Sequence, residues 1–394
     1  YVRLNTSDSF SPGWMEVGII CPYTIYNAYN DTRLVEKFWP NMTKFMKFLE
    51  ERSGGQFFFK ERSFDDLHPK GGYGDWLSIG TKTPPDMIAT MYYGYCASLM
   101  SEMAKAINKE EDSKYYADVF SKVKGAFLKH YVSADGKFTC DSLSYGNGDG
   151  YVDGKRGFTA HTQTAYANAI YMKMLPDSLI PVAGKYLNQL LEENNNYLKT
   201  GFLGVKPLLP ALSETGYSGT AYKLLLNKEY PSWGYEIENG ATTIWERWNS
   251  FTKGKGFEDA GMNSFSHYSF GSVCEWMFKN MAGIQSNGPA YKSIIIKPEI
   301  PAGKISFTDA SLISMNGKII SSWKVDGDKL IMNVTIPVNS SAVIYIPTIN
   351  INSIKERGSS INNLKGAEQG QFKDGYLPVK VGSGVYVFES MIKD

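Results

Sequence analysis

The chain has 394 residues, which predicts two domains, at least one of them large enough to bury a sizeable core. Its 41 basic and 40 acidic residues leave a net charge of +1, so the charge balance indicates neither a nucleic-acid partner nor an anionic membrane surface. No apolar run reaches the length of a membrane span, and the four cysteines form no Cys-x-x-Cys pair. We therefore predict no membrane span, no metal site and no cofactor.

The chain starts at Tyr1, with neither a methionine nor a signal peptide. We therefore expect a processed chain or an excerpt of a longer one. Its localisation is left open, with a periplasmic or secreted protein favoured over a cytoplasmic one. Aromatic residues make up 14% of the chain, which fits carbohydrate recognition and equally fits an aromatic-rich core.

The first part of the chain alternates apolar and charged helical segments. Four couplets, each an apolar segment followed by a charged one, are predicted at 14–29 and 32–51, 85–106 and 110–130, 159–174 and 176–193, and 206–213 and 216–226. A last long helix is predicted at 266–282. Buried inner helices paired with water-facing outer helices are what a double ring of helices requires. An irregular helical domain is the alternative.

After Gly283 the apolar residues recur at every second position. Segments rich in Val, Ile and Thr, separated by Gly, Asp and Pro, predict strands at 291–298, 317–325, 329–337, 341–347 and 385–390. The sequence Val325-Asp-Gly-Asp-Lys329 indicates a hairpin turn. We predict an antiparallel β-sandwich and divide the chain into a helical domain, 1–285, and a β-domain, 286–394.

One stretch, Gly240 to Asn249, combines residue types that act on sugars. Glu246 lies between Trp245 and Trp248, and His267 follows in a second stretch, 261–271. Indole faces bind sugar rings, and carboxylates and imidazoles act as general acids and bases. In the alternative interpretation both tryptophans are core residues and Glu246 is a salt-bridge partner.

Two further pairs of a tryptophan and a carboxylate lie at predicted loop-to-helix junctions. Trp14 and Glu16 open the first helix, and Asp75 and Trp76 lie in the glycine-rich loop 71–77. The alternatives are that Glu16 interacts with the helix dipole and that Trp76 packs in the core. Because such junctions gather at one mouth of a helical ring, we expect these residues to lie near Glu246.

Several segments resemble those of bacterial α-L-rhamnosidases of glycoside hydrolase family 78. The most specific are Gly240-Ala-Thr-Thr-Ile-Trp-Glu-Arg-Trp-Asn249 and Met262-Asn-Ser-Phe-Ser-His-Tyr-Ser-Phe-Gly-Ser-Val-Cys-Glu-Trp276, and others are 74–77, 162–166, 200–204 and 229–235. The resemblance covers nearly the whole chain. It implies an (α/α)6 toroid followed by a β-sandwich, and inverting hydrolysis of terminal α-L-rhamnosyl groups from glycosides or polysaccharides.

The resemblance also implies roles for individual residues. Glu246 is then the general base that activates water, and His267 contacts the sugar near that water. The pocket walls come from Trp14, Trp76 and either Trp245 or Trp248. Asp75 binds sugar hydroxyls. Glu16 is assigned to substrate binding as well, although many relatives have Asp at this position.

The family's general acid lies in an Asp-Cys-Pro-Gln-Arg-x-Glu-Arg segment, and these 394 residues contain no equivalent. We therefore expect the acid to come from a missing N-terminal segment or a partner chain. The roughly nine predicted helices, against twelve in six hairpins, predict a toroid that is incomplete at its N-terminal side. The chain alone is then expected to have little activity, and to associate with itself or with the missing segment because the apolar helix 14–29 has an uncovered side.

Two other functions stay open at this point. A carbohydrate-binding protein without catalysis would keep the pocket and lack the acid. Another (α/α)6 enzyme, such as a polysaccharide lyase, would need a Tyr/His or Asn/His pair and basic residues that neutralise a uronate. The balanced charge does not favour the lyase.

Overall fold

The computed structural model of the chain describes residues 10–60, 72–140, 151–152, 155–301, 303 and 305–393. In these residues the backbone forms a helical domain followed along the chain by two β-sheets. Contacts divide the chain into two compact units, one containing Thr32–Val273 with the segment up to Tyr23, the other containing Thr24–Asp31 and Cys274–Asp394. The division at 285/286 that the sequence suggested stays a prediction.

Ten α-helices lie in the described residues. They are α1 Val17–Tyr29, α2 Arg33–Arg52, α3 Pro85–Ala106, α4 Glu110–Tyr131, α5 Gln163–Tyr171, α6 Ile180–Glu192, α7 Phe202–Glu214, α8 Ser218–Leu225, α9 Trp233–Glu238 and α10 Val273–Trp276. Helices α3 and α4 pack against each other and show the predicted alternation. Fifteen of the 22 residues of α3 are buried, whereas α4 buries five of 22, spaced along one face from Tyr116 to Tyr131.

Two helical predictions were wrong in part, and one helix was missed. Helix α1, predicted to be mostly buried, buries only Ile19 and Pro22 within the described residues. The predicted long helix 266–282 is instead a 3₁₀ turn at Ser269–Ser272, then α10, then a π-helical turn at Met277–Met281. Glycine and serine are weak helix formers and occupy the part that tightens into 3₁₀. Helix α9 was not predicted.

Short strands in the helical part are β1 Tyr151–Val152, β2 Lys155–Arg156, β3 Phe251–Thr252 and β4 Gly256–Phe257. The sandwich contains β5 Ile284–Ser286, β6 Ser293–Ile296, β7 Phe307–Ser314, β8 Gly317–Asp326, β9 Lys329–Ile336, β10 Ser341–Pro347, β11 Lys355–Glu356, β12 Ser359–Ser360, β13 Glu368–Gln369, β14 Tyr376–Val381 and β15 Gly384–Met391. One sheet has the order β13-β14-β10-β6-β5 and the other the order β12-β11-β15-β9-β8-β7.

The predicted β-sandwich is confirmed, and its core follows the period of two. In β9 the side chains of Leu330, Met332, Val334 and Ile336 are buried, and the residues between them are not. The predicted hairpin joins β8 to β9, with Asp326 opposite Lys329. The sheets are antiparallel except that β6 pairs with β10 in parallel.

Candidate active site

Asp75 lies beneath the N-terminus of α7 and organises the loops around it. Its Oδ1 accepts hydrogen bonds from the backbone N–H groups of Leu203 at 2.8 Å and Gly204 at 3.0 Å. Its Oδ2 accepts from the N–H of Gly201 at 2.9 Å and the hydroxyl of Thr164 at 2.5 Å. Burial raises the pKa of Asp75, and these four donors oppose that effect. The carboxyl thus satisfies the free N–H groups of a helix end.

These four bonds occupy the lone pairs of the Asp75 carboxyl, which is buried. Direct binding of sugar hydroxyls by Asp75 stays a prediction, and this geometry does not favour it. Its observed contribution is to hold the glycine-rich loop against α7. The backbone N–H of Phe202 reinforces this contact by donating to the carbonyl of Trp76 at 3.0 Å.

Gly201 and Gly204 allow this close approach. A Cβ atom at Gly201 would lie 2.1 Å from the carbonyl oxygen of Trp76, and one at Gly204 would lie 2.4 Å from Oγ1 of Thr164. Neither separation is possible for real atoms, so both positions require glycine for space. The spacing Gly-x-x-Gly ahead of an apolar helix was a signal of this close packing in the sequence.

A continuous series of aromatic rings connects the predicted sugar-binding residues. The ring of Trp76 contacts Tyr73 at 5.8 Å between centroids, and Tyr73 contacts Trp14 at 5.7 Å. Trp14 contacts Phe202 at 6.0 Å, and Phe202 contacts His267 at 4.9 Å. The indole Nε1 of Trp14 donates to the carbonyl of Gly74 at 3.1 Å. Trp14, Trp76 and His267, which are far apart in sequence, are therefore connected through ring contacts. That they form one sugar-binding site with Glu246 stays a prediction.

Glu246 is half-buried and its carboxylate is fixed on one side. The N–H of Ser264 donates to Oε2 at 2.8 Å, and the N–H of Glu246 donates to the carbonyl of Ser264 at 2.9 Å. Within the described residues, no hydrogen bond reaches Oε1. The N–H of His267 donates to the carbonyl of Ile244 at 2.9 Å, so the two stretches singled out in the sequence pair with each other.

The tryptophans beside Glu246 are core residues. Trp248 is 1% exposed, stacks on Phe270 with the ring centroids 4.0 Å apart, and donates Nε1–H to the carbonyl of Thr200 at 2.9 Å. Trp245 is 4% exposed and contacts Phe265 edge-on. The assignment of Trp245 or Trp248 to the pocket wall stays a prediction, and the burial of both indoles does not favour it. A tryptophan in a loop can stack either on a bound sugar or on another aromatic side chain. The surrounding sequence did not show which of these applies.

Glu16 is fully buried at the start of α1. Neither carboxyl oxygen has a hydrogen-bond partner in the described part of the chain. Burial raises its pKa to about 8, although backbone N–H groups in the first turn, among them those of Gly13 and Trp14, oppose the effect. The side chain is therefore mostly protonated at pH 7. Substrate binding by Glu16 stays a prediction.

A cleft of about 530 Å³ lies beside the glycine-rich loop, within the size range of small-molecule sites. Its lining includes Tyr73, Asp75, Trp76, Lys82, Phe158, Tyr230, Arg247 and Asn249. Arg247 and Asn249 come from the loop that carries Glu246. Aromatic faces with a few convergent polar groups are what sugar recognition requires.

Sequence reasoning missed three residues of this site. Phe202 joins Trp14 to His267 in the aromatic series, and Tyr73, which is 51% exposed, joins Trp76 to Trp14. The backbone of Ser264 holds the Glu246 carboxylate. Ser264 acts through its backbone, so its residue type carried no signal. No group of three His, Cys, Asp or Glu in the described residues is placed to hold a metal ion, and no helix there is long and apolar enough to cross a bilayer.

A domain of helical hairpins with a cleft lined by aromatic and polar side chains, followed by a β-sandwich, is the architecture of the six-hairpin glycosidase class. Residues 3–281 match the bacterial α-L-rhamnosidase six-hairpin glycosidase domain, and residues 283–360 match the bacterial α-L-rhamnosidase C-terminal domain. The chain belongs to the bacterial α-L-rhamnosidase family, which confirms the resemblance inferred from the sequence and the predicted fold.

Individual relatives agree with this assignment. An α-L-rhamnosidase of Streptomyces avermitilis is 34% identical over 376 residues, covering 95% of this chain and 32% of the relative. One of Formosa agariphila is 31% identical over 387 residues, covering 96% and 39%. The crystal structure of the Streptomyces avermitilis enzyme complexed with L-rhamnose superposes with a TM-score of 0.82 at 33% identity, covering 96% of this chain and 33% of that one. The chain thus spans between a third and two fifths of these relatives.

Proposed function

We propose that this chain carries the sugar pocket and the general base of an enzyme that hydrolyses terminal α-L-rhamnosyl groups with inversion. The observation that supports it most is the state of the Glu246 carboxylate. One oxygen, Oε2, is held by the N–H of Ser264, and the other, Oε1, has no partner among the described residues. A general base requires this arrangement, because a fixed carboxylate with one free oxygen can orient a water molecule and accept its proton.

The proposed reaction is a single displacement. Water held at Oε1 of Glu246 attacks the anomeric carbon from the face opposite the leaving group and transfers its proton to Glu246. A general acid protonates the departing oxygen, and the two carboxyl groups must lie about 6.5–9.5 Å apart to leave room for the water. We place this acid outside the 394 residues, in a further segment or a partner chain.

The remaining site residues bind and orient the sugar in this proposal. Trp76 is half-buried and lines the cleft, and Trp14 is half-buried and contacts the ring of Tyr73, which also lines it. His267 lies on the segment that pairs with the Glu246 loop. Stacking of a sugar on an indole combines apolar contact with a fixed orientation. The substrates are rhamnose-containing oligosaccharides, polysaccharides or glycosides, as the names of the relatives suggest.

A second function, sugar binding without catalysis, is supported by one observation. The carboxyl groups of Glu16 and Glu236 both have a pKa of about 8 and are uncharged at neutral pH, as a general acid must be. Both are buried, so neither can protonate a leaving group in the cleft. This chain therefore offers Glu246 as a base, but neither Glu16 nor Glu236 is accessible enough to act as the acid.

The stereochemistry of the product tests the proposal. The chain is incubated with an aryl α-L-rhamnoside, whose good leaving group depends less on the acid, and the first anomer released is followed by proton NMR. We expect β-L-rhamnose to appear before mutarotation, and E246Q to release product at least ~100-fold more slowly. Initial release of the α-anomer would overturn inversion. Rhamnose binding without any turnover would select the binding function.

A further inference from the structure

A second glutamate, Glu236, is buried behind the loop that carries Glu246. It lies on α9, is 2% exposed, and its Oε1 has no hydrogen-bond partner in the described residues. Burial raises its pKa to about 8. An uncompensated buried charge costs several kcal/mol, so the side chain is neutral when the protein is folded at pH 7. An apolar residue of similar size would pack here without that cost, and the proposed reaction does not use this carboxyl.

Glu236 contacts both ends of the segment that leads to the general base. The N–H of Ala241 donates to its backbone carbonyl at 3.0 Å. The N–H of Trp245 faces its side-chain carboxyl closely enough to oppose the effect of burial on the pKa. Trp245 directly precedes Glu246, so the carboxyl of Glu236 lies beside the backbone from which the base projects.

The charged and titratable side chains on α9 and on the Glu246 loop interact with residues other than Glu236. On α9, Glu238 pairs with Lys228 at 2.5 Å, and the hydroxyl of Tyr235 accepts from the backbone of Lys253. On the loop, Glu246 is bound by Ser264 and Arg247 by the carbonyl of Met262. No charged side chain among the described residues contributes to the pKa of Glu236.

We propose that Glu236 is a positioning residue for the general base: its buried carboxyl, beside the backbone of Trp245, sets the direction in which Glu246 projects. The inference rests on the proposed role of Glu246. Loss of the Glu236 proton places an unpaired charge in the core. Because that charge must be hydrated, the loop 241–246 opens and the base loses its alignment.

Hydrogen exchange tests the loop without relying on turnover. Amide exchange of peptides covering 241–250 is measured from pH 6 to 9.5 and corrected for the intrinsic rate. We expect protection in the wild type to fall about tenfold across pH 8, and E236Q, which cannot ionise, to keep it. E236M gives a second non-ionisable variant if E236Q fails to fold. The proposal is overturned if both lose protection as the wild type does.

Two matched controls separate Glu236 from other carboxyls. E238Q changes an exposed glutamate on the same helix, and E16Q changes the other buried glutamate with a pKa of about 8. Both should reproduce the wild-type exchange of this loop. If E16Q instead abolishes the transition, Glu16 and not Glu236 controls the loop, and the assignment is wrong.

Kinetics on an aryl α-L-rhamnoside then separate this inference from the proposed function. In E236Q, the alkaline limb of kcat should move upward by at least one pH unit, with KM within about twofold of the wild type. An unchanged limb in an active enzyme overturns the positioning role. If every variant is inactive while the exchange data follow the expectation, the proposed function fails and the link between Glu236 and the loop stands.

Discussion

The backbone of Ser264 holds Glu246 at two points: its N–H donates to Oε2 at 2.8 Å, and its carbonyl accepts from the N–H of Glu246 at 2.9 Å. A carboxylate held in this way loses rotational freedom before substrate arrives. Orientation of a reacting group in advance lowers the entropic part of the barrier. A substitution of the Glu246 side chain should therefore change the rate of the reaction without changing the stability of the fold.

Replacing Glu246 with glutamine should abolish base catalysis and spare the fold. Gln keeps an oxygen that accepts from the N–H of Ser264, but its amide cannot accept a proton from water. We expect kcat on an aryl α-L-rhamnoside to fall at least ~100-fold, the range of general-base effects. The melting temperature should change by no more than about 2 °C. A kcat near that of the wild type would remove Glu246 from the mechanism.

Replacing Trp76 should weaken sugar binding, whereas replacing Trp248 should destabilise the fold. We expect W76A to weaken rhamnose binding by on the order of 1 kcal/mol, about fivefold in Kd, with little change in melting temperature. Trp248 is buried against Phe270, so W248A should reduce the free energy of unfolding by about 3–5 kcal/mol. Calorimetry and thermal unfolding of both variants provide the comparison. A W76A protein with unchanged affinity and a collapsed melting temperature would make Trp76 a core residue.

Removing the Asp75 carboxyl should destabilise the helical domain. In D75A, three backbone N–H groups at the start of α7 and the hydroxyl of Thr164 lose their acceptor. Buried donors without partners are costly, so we expect a loss of at least ~2 kcal/mol in chemical denaturation. D259A is the control, because Asp259 accepts a similar N–H bond at the surface, from Gly261. Its loss should cost less than ~0.5 kcal/mol. Equal effects would contradict the capping role of Asp75.

Glu16 should make stability depend on pH. Its pKa is about 8 in the folded protein against an ordinary value of 4.5, so the folded state binds the proton more tightly than the unfolded state. The resulting stability is fully present below pH 4.5, decreases as the pH rises, and is lost above about pH 8. E16Q has no such proton, and should melt at a higher temperature than the wild type at pH 8.5, with the advantage shrinking toward pH 5. Parallel melting curves at every pH would contradict the assignment.

Residues 85–106 show what the sequence predicts well. This helix is buried on most sides, so its composition is mostly apolar, with three charged residues in 22, and both ends were predicted to the residue. The start of α7 was predicted four residues late, because the acceptor that caps it, Asp75, comes from a loop more than 120 positions earlier. Local propensity contains no information about a cap supplied by tertiary structure.

The same limit applies to the candidate site. The convergence of Trp14, Trp76 and His267 was predicted because each lies at a loop-to-helix junction or in a recognisable stretch. The sequence did not predict that Trp76 is half-buried whereas Trp248 is a core residue. Burial depends on which neighbouring residues the fold brings against a side chain. Glu236 gave no signal, because nothing local marks a carboxyl that will be buried.

The parallel pairing of β6 with β10 has a consequence for synthesis on the ribosome. Ile294 lies beside Ala342, 48 positions further along the chain, and β10 separates β6 from the rest of its sheet except β5. Hairpins such as β8–β9 can form as soon as both strands emerge. Strand β6 can pair early with β5, but its other edge stays unpaired until β10 emerges. A ribosome stalled before residue 341 would therefore carry a nascent chain that depends on chaperones, although three of its longest strands are already complete.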